Sequence, residues 1–503
     1  GAGVTVDFVN GTAIDGFGAT DTLTNIENVR GTDFGDTITG DGANNVLEGK
    51  DGADTLTGGA GNDVINGGLG ADTAVFTSNF ADYDVTDNGG GSVTVTDNVG
   101  TDDTDQLQDV EFLQFADQTI TIGDITSIPT EGPNTLIGTA TADTIDALGG
   151  DDVISGLGGN DVIEGGTGFD EADYSLDAAN GGTLGVTVDI TGGSGTAIDG
   201  FGDTDTLSNI EEVVGTAQDD TITMGTAGIR TEAEGGAGND ILTGTDGTNV
   251  NFEGGAGNDV ITGGDFTDIF IAQRDEVDYS FDASDGGTSG ITVDLAAGTA
   301  IDGFGDTDTL SGIERVVGTN QADTFTGSGE GVPNGAFNDR EIFFGLGGND
   351  IIDGGLGRDQ LDYSRDAENG GTAGITVTFT GSDAGTVIDG FGDTDTFTNA
   401  DRIKGTNEAD TFTGNSGTQN FTALGGNDVI DGGTGGGDQA SYNNDASNGG
   451  TLGVTVNLAA GTAIDGFGDT DTLTNIERVQ GTDSDDTLTG DSLNNRFRGR
   501  GGN

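Results

Sequence analysis

The chain has 503 residues, 99 of them glycine, with 89 acidic side chains against 14 basic ones and a net charge of -75. It has no His and no Cys, which excludes a disulfide framework, a Ser-His-Asp triad, a thiol nucleophile and the familiar zinc sites. So acidic a surface disfavours nucleic acid and anionic lipid as partners, and at 32% hydrophobic residues the composition is that of a disordered chain unless cations are bound.

The first element is GVTVDFVNGTAIDGFGATDTLTNIENVRGT from Gly3, an alternating strand, an I-D-G-F-G turn and a second apolar-patterned segment. Residues 31–75 then read in nines as GTDFGDTIT, GDGANNVLE, GKDGADTLT, GGAGNDVIN and GGLGADTAV, with no residue gained or lost. The sixth place holds Asp36, Asn45, Asp54, Asp63 and Asp72; the eighth holds Ile38, Leu47, Leu56, Ile65 and Ala74. Glycines at places one, two and four permit positive φ in a tight turn and leave backbone carbonyls uncovered. Carbonyl and carboxylate oxygens are hard ligands suited to Ca2+ at six to eight coordination. The last three places predict a short strand whose eighth residue points inward.

Residues 76–125 leave the nines. YDVTDNGGGSVTVTDNV alternates around a GGG turn, which predicts a β-hairpin followed by a further strand, with Phe112, Leu113 and Phe115 covering the open end of the preceding coil. Pro129 and Pro133 bracket a short linker. A second run in phase follows over 138–173: GTATADTID, ALGGDDVIS, GLGGNDVIE, GGTGFDEAD.

The opening element recurs at Gly185, Gly290, more loosely at Gly374, and at Gly453, at spacings of 182, 105, 84 and 79 residues. Such variation marks a repeat that tolerates insertions, as loops on one face of a solenoid do; one insertion spans 327–344. Between copies lie shorter nonapeptide blocks, and Tyr174, Tyr279, Tyr363 and Tyr442 hold one equivalent place. They are expected in the core; carbohydrate stacking is the alternative and needs them exposed. The segment TLSNIEEVV admits a helical turn, but dense threonine and β-branched residues favour strands.

These boundaries divide the chain into a β-unit with the first nonapeptide block (1–75), a hairpin cap and Pro linker (76–134), a second block (135–184), three repeat units (185–289, 290–373, 374–452) and the start of a further unit (453–503). GRGGN at 499–503 matches the first five places of another nonapeptide, so the chain is expected to continue.

In its G-G-x-G-x-D-x-U-x blocks the chain resembles the RTX (repeats-in-toxin) family of secreted bacterial proteins. The resemblance implies an all-β fold, a right-handed parallel β-roll or β-helix joined by β-rich flanking elements, with several Ca2+ ions between turns. Carried over residue by residue, the implied ligands are Asp54, Asp63, Asp72, Asp143, Asp152, Asp161, Asp170, Asp240, Asp259, Asp268, Asp350, Asp359 and Asp428. Asn45 in place of Asp weakens its site, the GTNQAD and GTNEAD blocks make Asp323 and Asp410 poor ligands, and Asp438 has slipped one place. A second acidic set, I-D-G-F-G-D-T-D, places Asp302, Asp306 and Asp308, and likewise Asp199, Asp203, Asp205 and Asp465, Asp469, Asp471, around a glycine turn. It fits another calcium or a hydrogen-bonded Asx turn equally well. The middle acid is Ala19 in the first copy.

Nearly every acid belongs to a repeated set, whereas an active site is usually a single constellation, so no enzymatic role is expected. The expected function is a calcium-binding structural segment of a large secreted or cell-surface bacterial protein: matrix, surface layer, filament or adhesin stalk. It would stiffen in extracellular Ca2+, with self-association as one partner mode. The alternatives are the secretion and folding tail of an exported enzyme or toxin, and a polysaccharide-binding adhesin. No run is long and apolar enough to span a membrane.

Overall fold

A computed structural model describes residues 2–89, 92–117, 119–121, 129, 132–264, 274–328 and 340–502. The Pro129 linker and the insertion after Gly327 fall largely outside these residues, as does Asp268.

Strands of three residues are too short to stand alone, and the nine-residue period supplies their partners. Thr37–Thr39, Thr55–Thr57 and Thr73–Val75 stack in parallel in one sheet, and Val46–Asp51 and Val64–Leu69 stack in the other. Consecutive nonapeptides therefore fall on alternate sheets, and two of them complete a coil of 18 residues. Each triplet points its middle residue inward. Ile38, Leu56 and Ala74 face Leu47 and Ile65, all essentially fully buried, while the flanking threonines point out. The inward eighth places are as the pattern predicts, and the arrangement is the parallel β-roll that the resemblance implies.

The chain forms two compact units, one of residues 1–182 with 203–210 and one of 183–202 with 211–503. In the first, the antiparallel pair Tyr83–Gly89 and Ser92–Asp97 is extended by Thr104–Gln108, which pairs in parallel with Val64–Leu69. Phe112–Gln114 pairs in the same way with Thr73–Val75, so the flanking element continues both sheets. Leu113 and Phe115 are buried, and Phe115 packs against Phe76, Phe80 and Tyr83 with ring centroids 5.0 to 5.2 Å apart. Leu113 and Phe115 cover the open coil end as the apolar pattern required, but Phe112, which alternates to the other side of the strand, is only half-buried.

In the second unit each copy of the long repeat inserts a three-stranded meander. Thr292–Asp294, Thr299–Ile301 and Thr307–Ser311 pair antiparallel. The first then pairs in parallel with Thr324–Thr326, and the last with Val260–Thr262, so parallel coils resume on both sides. The segment 307–317 is two strands and not a helix. Gly312 between them has φ 65°, as Asn475 has φ 53° in the last copy, and a left-handed residue cannot continue a right-handed helical turn. Among the described residues one-turn helices follow repeated tyrosines, as at Asp282–Asp285, and a further one, Phe80–Asp82, lies in the flanking element. Tyr174, Tyr279, Tyr363 and Tyr442 are each 1% exposed, which leaves no face for carbohydrate stacking.

Candidate metal centre

The turn Gly58–Asp63 shows how the nonapeptide is built. Gly59 and Gly61 have φ 97° and 108°, as expected of places two and four. Place one differs from that expectation. Gly58 is not left-handed; a β-carbon there would lie 2.3 Å from Asp63 Oδ2. Gly49 stands in the same relation to Asp54, Gly235 to Asp240, Gly254 to Asp259 and Gly345 to Asp350, at 2.3 to 2.5 Å. The first glycine makes room for the carboxylate, which folds back over its own turn. Gly58→Ala is therefore expected to displace Asp63 and cost about 1–3 kcal/mol, with a higher calcium midpoint for folding. Gly42→Ala is the control, since a β-carbon there meets nothing within 4 Å. Equal midpoints for the two variants in a calcium titration followed by circular dichroism would refute this role.

The carboxylates form ladders along the coils. Oδ1 of Asp54 accepts from Asp36 N at 2.6 Å, Asp63 from Asn45 N at 2.7 Å, and Asp72 from Asp54 N at 2.8 Å. The same bond ties Asp152 to Asn134, Asp240 to Asp220, Asp259 to Asp240, Asp350 to Asp323 and Asp428 to Asp410, at 2.7 to 2.8 Å. In all eight the second oxygen, Oδ2, is buried with no hydrogen-bond partner. A bare carboxylate oxygen out of water demands a proton or a cation. Burial accordingly pushes Asp63, Asp72 and Asp152 up to about 6, Asp240 to about 7, Asp259 to about 8 and Asp350 to about 10, with neighbouring carboxylates adding to the effect.

Basic side chains do not supply that cation. Among the described residues no ion pair reaches any of the eight. Arg230, Arg315 and Arg365 instead converge on Glu276, and Arg340, Arg358, Arg402, Arg478, Arg496 and Arg498 line a separate cleft of about 560 Å³. A donor set of carboxylates and glycine carbonyls without nitrogen or sulfur suits a hard dication such as Ca2+.

Asp161, Asp170 and Asp359 occupy the same ladder position, accepting from Asp143 N, Asp152 N and Glu341 N at 2.8 to 3.0 Å. Asp143 stands apart. Its Oδ2 accepts from Thr139 N at 2.6 Å and Thr139 Oγ1 at 3.0 Å. Asp323 and Asp410 are held in this way by Thr319 and Thr406, so the GTxxxD blocks satisfy their carboxylates internally. Asn45 is also satisfied, accepting from Asp41 N and donating to Glu27 O.

Several ladder members escape a nonapeptide reading. Asp105 and Glu111 of the cap accept from Asp63 N and Asp72 N at 2.8 and 2.7 Å. Asp308, Asp395 and Asp471, the third acids of the I-D-G-F-G-D-T-D turns, accept from Asp259 N, Asp350 N and Asp428 N at 3.0 to 3.2 Å. Their D-T-L or D-T-F sequence matches places six to eight of the nonapeptide, a signal legible in the chain. Asp438, one place out of phase, still reaches the ladder: Gln419 N donates to Oδ1 at 2.8 Å, and Gly437 absorbs the extra residue with φ 97°.

A family model of the RTX calcium-binding nonapeptide repeat (four copies) matches residues 25–54, 39–74, 130–172, 234–270, 336–367, 395–418 and 471–503. The chain carries RTX calcium-binding nonapeptide repeats in several copies. Calcium is the ion such repeats bind, and the unpartnered ladder oxygens of this RTX chain fit it. No curated protein matches the chain. Among solved structures, the extracellular lipase LipA from Serratia marcescens is similar at 18% identity with a TM-score of 0.18. The match covers 58% of this chain and 39% of the lipase chain, so the RTX chain spans well under half of that protein. Among the described residues no helix is long and apolar enough to cross a membrane.

Proposed function

We propose that the chain is a calcium-stiffened structural segment of a larger exported protein, non-catalytic in itself, and that its ladder aspartates hold several ions. The observation that carries this reading is the set of eight buried Oδ2 atoms without partners, repeated along the coils of a chain of net charge -75. Asp54, Asp63, Asp72, Asp152, Asp240, Asp259, Asp350 and Asp428 supply the ligands in this reading, with Asp161, Asp170 and Asp359 at equivalent positions. Asp143 contributes least, because Thr139 already occupies its carboxylate.

Ions placed between successive coils cross-link strands that are otherwise joined by only a few hydrogen bonds each. Such a chain is soft when exported without calcium and rigid outside the cell, where calcium is abundant. Force spectroscopy on the tethered chain tests it: in millimolar calcium, pulling should give a series of rupture events, and chelation should abolish them. Identical force traces in the two conditions would overturn a load-bearing role. The alternative, a folding tail of an exported enzyme, is separated from a scaffold by the adjoining sequence: further copies of the hairpin unit support a scaffold, and a catalytic domain supports the tail.

A further inference from the structure

The I-D-G-F-G-D-T-D turns carry more than an Asx turn. In the last copy, Asp465 Oδ1 caps its own turn, accepting from Phe467, Gly468 and Asp469 N at 2.9, 2.7 and 2.8 Å. Its Oδ2 is left buried without a partner. Asp445, three residues after Tyr442, accepts from Gly466 N through Oδ2 at 2.9 Å and likewise leaves Oδ1 buried without a partner. Asp471 is anchored on both sides, by Asp428 N at 3.2 Å and the Tyr442 hydroxyl at 3.0 Å. Asp428, Asp445, Asp465 and Asp471 are each at most 1% exposed. One carboxylate oxygen from each of Asp428, Asp465 and Asp471 lies within 4.8 Å of the others.

The same bonds recur upstream. Asp282 and Asp366 accept from Gly303 N and Gly390 N at 2.7 and 2.9 Å, and Tyr279 and Tyr363 donate to Asp308 and Asp395 at 3.0 and 2.9 Å. Asp282 Oδ1, Asp302 Oδ2, Asp366 Oδ1 and Asp389 Oδ2 are again buried without partners. The middle acids, Asp306, Asp393 and Asp469, are only half-buried, which explains why Ala19 can stand at that place.

We propose that each such turn, closed by the aspartate three residues after the buried tyrosine, is a second kind of calcium site, distinct from the nonapeptide turn. Asp428, Asp465 and Asp471 converge, Asp445 is tied to the same turn through Gly466, and Asp428, Asp445 and Asp465 each keep a bare buried oxygen; carboxylates so held out of water form a donor set for a hard dication. The tyrosine positions the third acid and is not itself a ligand. The site shares Asp428 with the nonapeptide ladder, whereas Asp445 and Asp465 lie outside it, so the proposal rests on calcium as the ion but not on occupancy of the other nonapeptide turns.

Terbium, a hard oxygen-seeking cation excited through nearby tyrosine, tests it, since the chain contains no tryptophan. The wild type should show calcium-displaceable emission, of which Tyr442→Phe removes one component without changing the number of ions bound. The double variant Asp445→Asn, Asp465→Asn should lose that same component and bind about one ion fewer per chain by equilibrium dialysis. Full emission and an unchanged ion count in the double variant would overturn the proposal. So would unchanged emission from Tyr442→Phe, however the double variant folds. Asp54→Asn is expected to lower the ion count while leaving the Tyr442 component intact; no change in count there would count against the nonapeptide sites alone.

Discussion

Excess EDTA at neutral pH is expected to unfold the protein, with loss of the strand signal in circular dichroism and expansion in small-angle scattering. The hydrophobic core is a thin double column, one residue such as Leu56 or Ile65 from each nonapeptide, and glycine-rich turns lose much entropy on ordering. Against this stand bare carboxylates stacked along each edge. A site present only in the folded chain contributes about 2.7 kcal/mol when calcium exceeds its dissociation constant a hundredfold. A handful of such sites matches the roughly 5–15 kcal/mol by which folded domains are ordinarily stable, so their loss is decisive. Magnesium should not substitute, because it requires near-octahedral geometry and releases its water reluctantly. A strand spectrum unchanged by EDTA would refute this account.

Acidification of the calcium-free protein is expected to do the reverse and restore compact structure. Burial raises the ladder aspartates in the folded state, to about 6 at Asp63, about 7 at Asp240 and about 8 at Asp259, above the ordinary aspartate value of 3.8. A group whose folded pKa lies above its unfolded value binds protons preferentially in the folded state. Its contribution is fully present below the unfolded pKa and is lost as pH rises through the folded pKa. The calcium-free protein should therefore gain strand signal as pH falls from about 8 towards 5, the window set by these raised values. In saturating calcium the dependence runs the other way at the acid end, since protons compete with the metal for the same oxygens. A calcium-free spectrum equally disordered at both ends of that window would contradict the assignment of buried, cation-seeking carboxylates.

Much of this was legible in the chain because the nonapeptide is a local code. Asp54 and Leu56 lie two residues apart in one strand-turn, so spacing alone assigned one to the turn and the other to the core. The roles of Leu113 and Phe115 as a cover, and of the four repeated tyrosines as core residues, followed from apolar pattern and repetition in the same way, whereas Phe112 alternates to the other side of its strand and is only half-buried. For a glycine at place one, such as Gly58, turn chemistry points to the wrong cause. A requirement for positive φ and a requirement for empty space both select glycine, and only the position of Asp63 over Gly58 separates them.

What the amino-acid order determined by itself is the period, the inward eighth place and a turn chemistry suited to a hard cation, since each is fixed within nine residues by turn chemistry and strand alternation. What the tertiary structure decided is which acids share a column. Asp63 meets Asp105 across 42 residues, Asp259 meets Asp308 across 49, and Tyr442 meets Asp471 across 29. The physical reason is that coil closure and the inserted meanders bring these groups together, and no local period records the distance between them.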